Sequence, residues 1–126
     1  DVSMPMMRAC HARVPRAIGL CADATRLPLR DGSLAGANCS DALQALPDPA
    51  AGLREVARCL RPGAPFTALT FVQGDGLYRY FQHRVPLHSR HLFTEEGLRS
   101  MLAQAGLEVI DWSQRGLAVF FTARTS

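Results

Sequence analysis

The passage from Asp48 to Val72 constrains the fold more than any other part of the chain. Asp48 is a good helix N-cap and Pro49 suits the first helical position. Leu53, Val56, Ala57 and Leu60 then recur at i, i+3, i+4 and i+7, leaving Arg54, Glu55, Arg58 and Arg61 on the polar face. Pro62-Gly63 stops this helix. Residues 66–72 (FTALTFV) follow at once, rich in β-branched and aromatic residues, as a buried strand should be. An amphipathic helix that ends sharply and feeds a buried strand predicts an α/β architecture.

The flanking segments extend that pattern. Ser3 and Pro5 open a helix over residues 3–13 with Met6, Met7 and Cys10 at helical spacing. Residues 17–21 (AIGLC) read as a short buried strand before a turn-rich loop, and residues 34–40 (LAGANCS) as a second strand ending in Ser40-Asp41. Thr94 caps another amphipathic helix, with Glu95 and Glu96 at its positive end, Leu98, Met101, Leu102 and Ala105 on one face, and Gly106 as terminator. Residues 107–113 and 117–123, joined by Gln114-Arg115-Gly116, read as a hairpin with Trp112, Phe120 and Phe121 in its core. Residues 74–93 show neither period and form a long connection. The order predicts a single domain over residues 1–126, with a mainly parallel sheet, helices on both faces and a C-terminal antiparallel hairpin.

Composition excludes several function classes. With 126 residues and 48% hydrophobic content, the chain is sized for one globular core and not for two. No apolar run approaches the roughly 20 residues of a membrane span, and the first residues lack the plan of a signal peptide, so a cytoplasmic protein is expected. The net charge of +3 is scattered along the chain, which argues against nucleic acid as a partner. Cys10, Cys21, Cys39 and Cys59 lie far apart among apolar residues with no CxxC pair, so they read as buried free thiols and no metal site is expected. The pair His88 and His91 supplies two ligands, too few for a metal centre. One local concentration of basic and imidazole groups comprises Arg79, His83, Arg84, His88, Arg90 and His91. It reads either as a solvated loop or as the lining of an anionic substrate site.

In open α/β sheets ligands bind beyond the carboxyl ends of the strands. Three acidic or small polar positions meet that condition: Asp1, Asp23-Ala24 and Ser40-Asp41. The succession Asp1-Val2-Ser3, then Ala22-Asp23-Ala24 with Leu27-Pro28-Leu29 and Asp31-Gly32-Ser33, is followed by Leu46-Pro47-Asp48-Pro49 and by Leu53-Arg54-Glu55-Val56-Ala57-Arg58-Cys59-Leu60-Arg61-Pro62-Gly63. In that order these motifs resemble the class I S-adenosylmethionine-dependent methyltransferases, in the branch of the ubiquinone and menaquinone enzymes and of small-molecule methyltransferases of bacteria and plastids. The resemblance covers essentially the whole chain, since residues 93–111 look like the family's last helix and strand.

The resemblance implies a Rossmann-like fold, S-adenosylmethionine as cofactor and a small-molecule acceptor. Asp1 matches the acidic residue that accepts from the ribose hydroxyls, and Val2 the residue lying against adenine. Asp23 matches the acceptor for the adenine amine, the Ala24 amide a donor to a ring nitrogen, and Ser40 a position near the methionine end. Tyr78, Tyr80, His83 and His88 fall where the family covers its acceptor. Methyl transfer needs alignment and exclusion of water more than a dedicated base, so no catalytic residue is assigned; if the acceptor must lose a proton, His83, His88 or His91 is the candidate. This chain departs from the family at Leu34-Ala35, where Phe-Asp is usual, and at Gly63-Ala64, where Gly-Gly is usual. The family's first strand and glycine-rich loop would precede Asp1. The expectation is therefore the C-terminal two-thirds of a methyltransferase domain, completed by a missing N-terminal segment or a partner chain, in the cytoplasm or a plastid. A non-catalytic methyltransferase-like subunit or interaction module, and a nucleotide-binding domain of a dehydrogenase type, are the alternatives.

Overall fold

The computed structural model describes residues 1–74 and 93–126. Helix α1 spans Met4–Arg13, and Ser3 caps it by accepting from the Met6 amide. Strand β1 is Ala37–Ser40, followed by a 3-10 turn at Leu43–Ala45. Helix α2 covers Pro49–Cys59 and strand β2 Pro65–Phe71. Helix α3 is Glu95–Gln104, and the hairpin consists of β3, Leu107–Arg115, and β4, Ala118–Thr125. The Asp48 carboxylate accepts from the Ala51 amide at 2.9 Å and the Thr94 hydroxyl from the Gly97 amide at 3.0 Å, so both predicted caps form.

The strands make a four-stranded sheet of order β1-β2-β4-β3. The β1–β2 pairing is parallel and both pairings of β4 are antiparallel, so the Rossmann-like α/β sheet is a mixed one. The sheet is therefore not mainly parallel, and residues 17–21 do not form the buried strand that their apolar run predicts. Ile18 is 93% exposed and Leu20 43% exposed, and the segment joins no ladder with β1–β4. A short apolar run becomes a strand only beside a partner that takes up its backbone groups. Here the backbone runs instead beside the first residues of the chain: the Asp1 backbone nitrogen donates to the Leu20 carbonyl at 3.2 Å, and the Ala22 amide donates to the Asp1 carbonyl at 2.9 Å.

Alternation along the strands divides the sheet into two faces. Phe66, Ala68 and Thr70 of β2 and Val119, Phe121 and Ala123 of β4 are buried on one face, against Leu53 and Leu60 near α2 and Leu98 and Leu102 of α3. Phe66 meets Phe121 edge-on, and Trp112 stacks on Phe121, each pair with ring centroids 5.9 Å apart. The Arg99 guanidinium covers the other side of Trp112 at 4.0 Å. A bulge between Val109 and Asp111 inserts one extra residue, which keeps both Val109 and Trp112 on the core face. Phe120 points to the opposite face and is 46% exposed, so only Phe121 of the expected aromatic pair belongs to the core. Helices α2 and α3 pack against each other over the core face, whereas α1 buries none of its residues.

The cysteines divide similarly. Cys59 is buried, Cys39 is half-buried, and Cys10 and Cys21 are exposed because α1 and the 17–21 run are exposed, which corrects the expectation of four buried thiols. All four are free thiols. Burial pushes the Cys39 and Cys59 thiols up, away from the reactive thiolate. Among the described residues no helix is long and apolar enough to cross a membrane.

Candidate cofactor site

The bridge between Asp1 and residues 20–22 brings two of the three predicted positions together. Two backbone bonds bracket Cys21 from Asp1, in the pattern of a parallel pair, and the Cys21 thiol donates to the Val2 carbonyl at 3.4 Å. Asp1-Val2 and Asp23-Ala24 therefore leave neighbouring, parallel segments at the same end. The Asp1 carboxylate accepts from the Ser3 amide at 2.8 Å, which fixes it over the start of α1. Val2 is 71% exposed, an apolar side chain presented to solvent next to Asp1.

Asp23 organises a tight turn. Its Oδ1 accepts from both the amide and the hydroxyl of Thr25, each at 2.8 Å, and its carbonyl accepts from the Arg26 amide at 3.0 Å. These bonds, the amide first and the hydroxyl second, hold the carboxyl below the ordinary aspartate value. Asp23 is thus a firmly ionised acceptor whose Oδ1 is occupied by its own turn.

Ser40 belongs to a different group, on the open face of the sheet. Its hydroxyl donates to Asn38 Oδ1 at 2.9 Å, and Asn38 Nδ2 donates to Thr67 Oγ1 at 2.8 Å. Asn38, Ser40, Thr67, Leu69, Phe120 and Thr122 line a concavity of about 220 Å³ on that face. Asp41 follows with φ 55°, a left-handed conformation that an aspartate tolerates better than most side chains. A larger concavity, about 690 Å³, lies between α1 and residues 15–19 and is lined chiefly by apolar atoms from Met7, Ala12 and Ile18. Its lining includes none of Asp1, Asp23 or Ser40. Tyr78, Tyr80, His83 and His88, with His91, lie outside the described residues.

Two further residues bear on the site and were read in the sequence only as a polar helix face. Glu55 Oε1 accepts from the Leu27 amide at 2.7 Å. Arg58 donates through Nη1 to the Leu29 carbonyl at 2.9 Å and to the Asp31 carboxylate, and through Nη2 to the Leu27 carbonyl at 3.2 Å. Its Nε and Nη2 also grip Glu55 at 2.9 and 2.7 Å. The pair with Arg58 holds the Glu55 carboxyl below its ordinary value, and the Glu55 and Asp31 carboxylates push the guanidinium higher still. Spacing on α2 reveals the pair, but not the loop that it holds.

The methyltransferase domain family model matches residues 1–68, more than half of the chain. This chain belongs to that family. A demethylmenaquinone methyltransferase of Mycobacterium sp. (strain KMS) is 33% identical over 133 residues, covering 90% of this chain and 56% of that protein. The chain thus spans a little more than half the length of that relative. Among solved structures, an S-adenosylmethionine-dependent methyltransferase of Thermotoga maritima superposes with a TM-score of 0.81 at 21% identity, covering 100% of this chain and 72% of that one. The cyclase SpnF superposes with a TM-score of 0.78 at 20% identity, covering 98% of this chain and 63% of that one. The Rossmann-like methyltransferase fold is therefore established, and S-adenosylmethionine is the cofactor that goes with this family. The likeness to a cyclase shows that the same fold carries other chemistry, so the reaction must be argued from the site.

Proposed function

We propose that the chain is the cofactor-binding and acceptor-covering part of an S-adenosylmethionine-dependent methyltransferase acting on a small molecule. The observation that carries this reading is the Asp1–Cys21 bridge, which sets two carboxylates and an exposed valine at adjacent segment ends. The donor set fits the nucleoside part of the cofactor. Asp1 is an acceptor for ribose hydroxyls, Asp23 for the adenine amine, the Ala24 amide a donor to the ring, and Val2 an apolar surface for the base. Ser40 serves the methionine end. When bound, the cofactor supplies a methyl group on a sulfonium centre, and the chain's own part is to orient it and exclude water. Tyr78, Tyr80, His83 and His88 are proposed to cover the acceptor.

The free edge of β1 supports a further element of this reading. Among the described residues β1 stands at the end of the sheet and pairs only with β2. A strand from a preceding segment or from another chain would pair there, between β1 and the Asp1 segment, and bring the glycine-rich loop. The same edge favours the second reading, a non-catalytic subunit that docks a partner. Calorimetry with S-adenosylhomocysteine on the full-length gene product separates the two. Binding that Asp23→Ala weakens about tenfold is expected, the loss of a charge-assisted hydrogen bond. No binding at millimolar ligand, together with a stoichiometric co-purifying partner, would overturn the enzyme reading.

A further inference from the structure

We infer that Glu55 and Arg58 are positioning residues for cofactor binding, acting through the Leu27–Asp31 loop on the Asp23 turn; this rests on the reading of Asp23 as the adenine acceptor. The Leu27 peptide is held on both sides. Glu55 accepts from its amide and Arg58 donates to its carbonyl, at 2.7 and 3.2 Å. The Asp23 turn closes at Arg26, whose amide donates to the Asp23 carbonyl, so the clamped residue is the next one in the chain. No slack separates the turn from its anchor. Arg58 adds the Leu29 carbonyl and the Asp31 carboxylate, and its own carbonyl accepts from the Gly32 amide at 2.9 Å. Four loop residues, Leu27, Leu29, Asp31 and Gly32, are thereby tied to one turn of α2.

The chemistry of the pair is matched to this task. A planar guanidinium with several N–H groups in a fixed fork can serve two backbone carbonyls and two carboxylates at once, which a lysine ammonium cannot do with the same geometry. The Glu55 side chain is 14% exposed and that of Arg58 33%, so water competes less for these bonds than at an open surface pair. Helix α2 is itself anchored in the core through Leu53 and Cys59, both 0% exposed. The rigid core is thus relayed through α2 to an otherwise irregular loop, and from there to the acceptor carboxylate.

The full-length protein tests this with two readouts, S-adenosylhomocysteine affinity by calorimetry and amide hydrogen exchange by NMR. Arg58→Ala should speed exchange at Leu27 and weaken the ligand by about tenfold, while Leu98 and Leu102 keep their protection. Arg58→Lys should fail to rescue either readout, because charge alone does not replace the fork. Glu55→Gln keeps an acceptor for the Leu27 amide and should give smaller changes of the same sign. Faster exchange at Leu27 with affinity unchanged within about twofold overturns the positioning role and leaves a purely structural clamp. Full rescue by lysine, or equal loss of protection at Leu98 and Leu27, overturns it as well. Absence of binding in the unmodified protein refutes the underlying reading of Asp23 and is distinguished by that control.

Discussion

The fully buried hydroxyl of Thr70 on β2 donates to Gln44 Oε1 at 2.8 Å, just after the end of β1. Gln44 is itself 3% exposed, and its Nε2 donates to the Asp41 carboxylate at 2.6 Å. One chain of bonds therefore runs from the sheet interior to Asp41, the aspartate with a left-handed backbone. Buried polar groups cost stability unless each finds a partner, and here each does.

Thr70→Val removes the donor and leaves Gln44 Oε1 unpaired, so a loss of about 1–3 kcal/mol in denaturant unfolding is expected. The double variant Thr70→Val/Gln44→Leu replaces both partners by apolar groups and should recover part of that loss. Strictly additive losses would show that the two side chains do not act as a pair.

Gly63 has φ 74° where the chain turns from α2 toward β2, and an added Cβ would meet nothing within 4 Å. Gly63→Ala should therefore cost about 1–2 kcal/mol from backbone strain alone. Gly52 lies inside α2, where a Cβ would sit 2.7 Å from the end of the Leu46 side chain. That side chain can move aside, and the change to alanine favours the helix by up to about 1 kcal/mol. Thermal unfolding should place Gly63→Ala well below Gly52→Ala; the reverse order would contradict this account.

Acid should release the loop beside the candidate cofactor site. Asp23 and Glu55 both have carboxyl groups held below their ordinary values, Asp23 by Thr25 and Glu55 by Arg58. A carboxyl lowered in the folded state binds fewer protons there than in the unfolded chain. Its stabilising contribution is present above the unfolded values of about 3.9 for Asp and 4.3 for Glu, and is lost as pH falls through the lower folded values. NMR titration should show the Thr25 and Leu27 amides changing together with these carboxyls, at midpoints beneath those ordinary values. Midpoints at or above them would mean that the hydrogen bonds do not persist in solution.

Much of the fold was legible in the sequence because it is written in local period and punctuation. The Asp48 and Thr94 caps, the Pro62-Gly63 stop and the alternation of the last hairpin needed only their own neighbours to be read. Residues 17–21 were misread because a short apolar run looks the same whether or not a ladder partner stands beside it. The misplacement of Phe120 has a related cause: two adjacent aromatics on a strand must face opposite sides, and only one side of this sheet is covered by α2 and α3. At the site, motif order placed Asp1, Asp23 and Ser40 at the ends of strand-like runs. It could not say that Asp1 and Asp23 would share a backbone bridge while Ser40 joined Asn38 and Thr67.

By itself the sequence determined the helices, the C-terminal hairpin, the family and the order of its charged groups, since each is fixed by residue identity within a short span. Tertiary structure alone decided which of these groups meet. Glu55 is one helical turn from Arg58, but Leu27 and Asp31 come from a loop more than twenty residues away in the chain. Hydrogen bonds across such a separation depend on how α2 docks through Leu53 and Cys59, and docking is set by the packing of the whole core rather than by any segment of it.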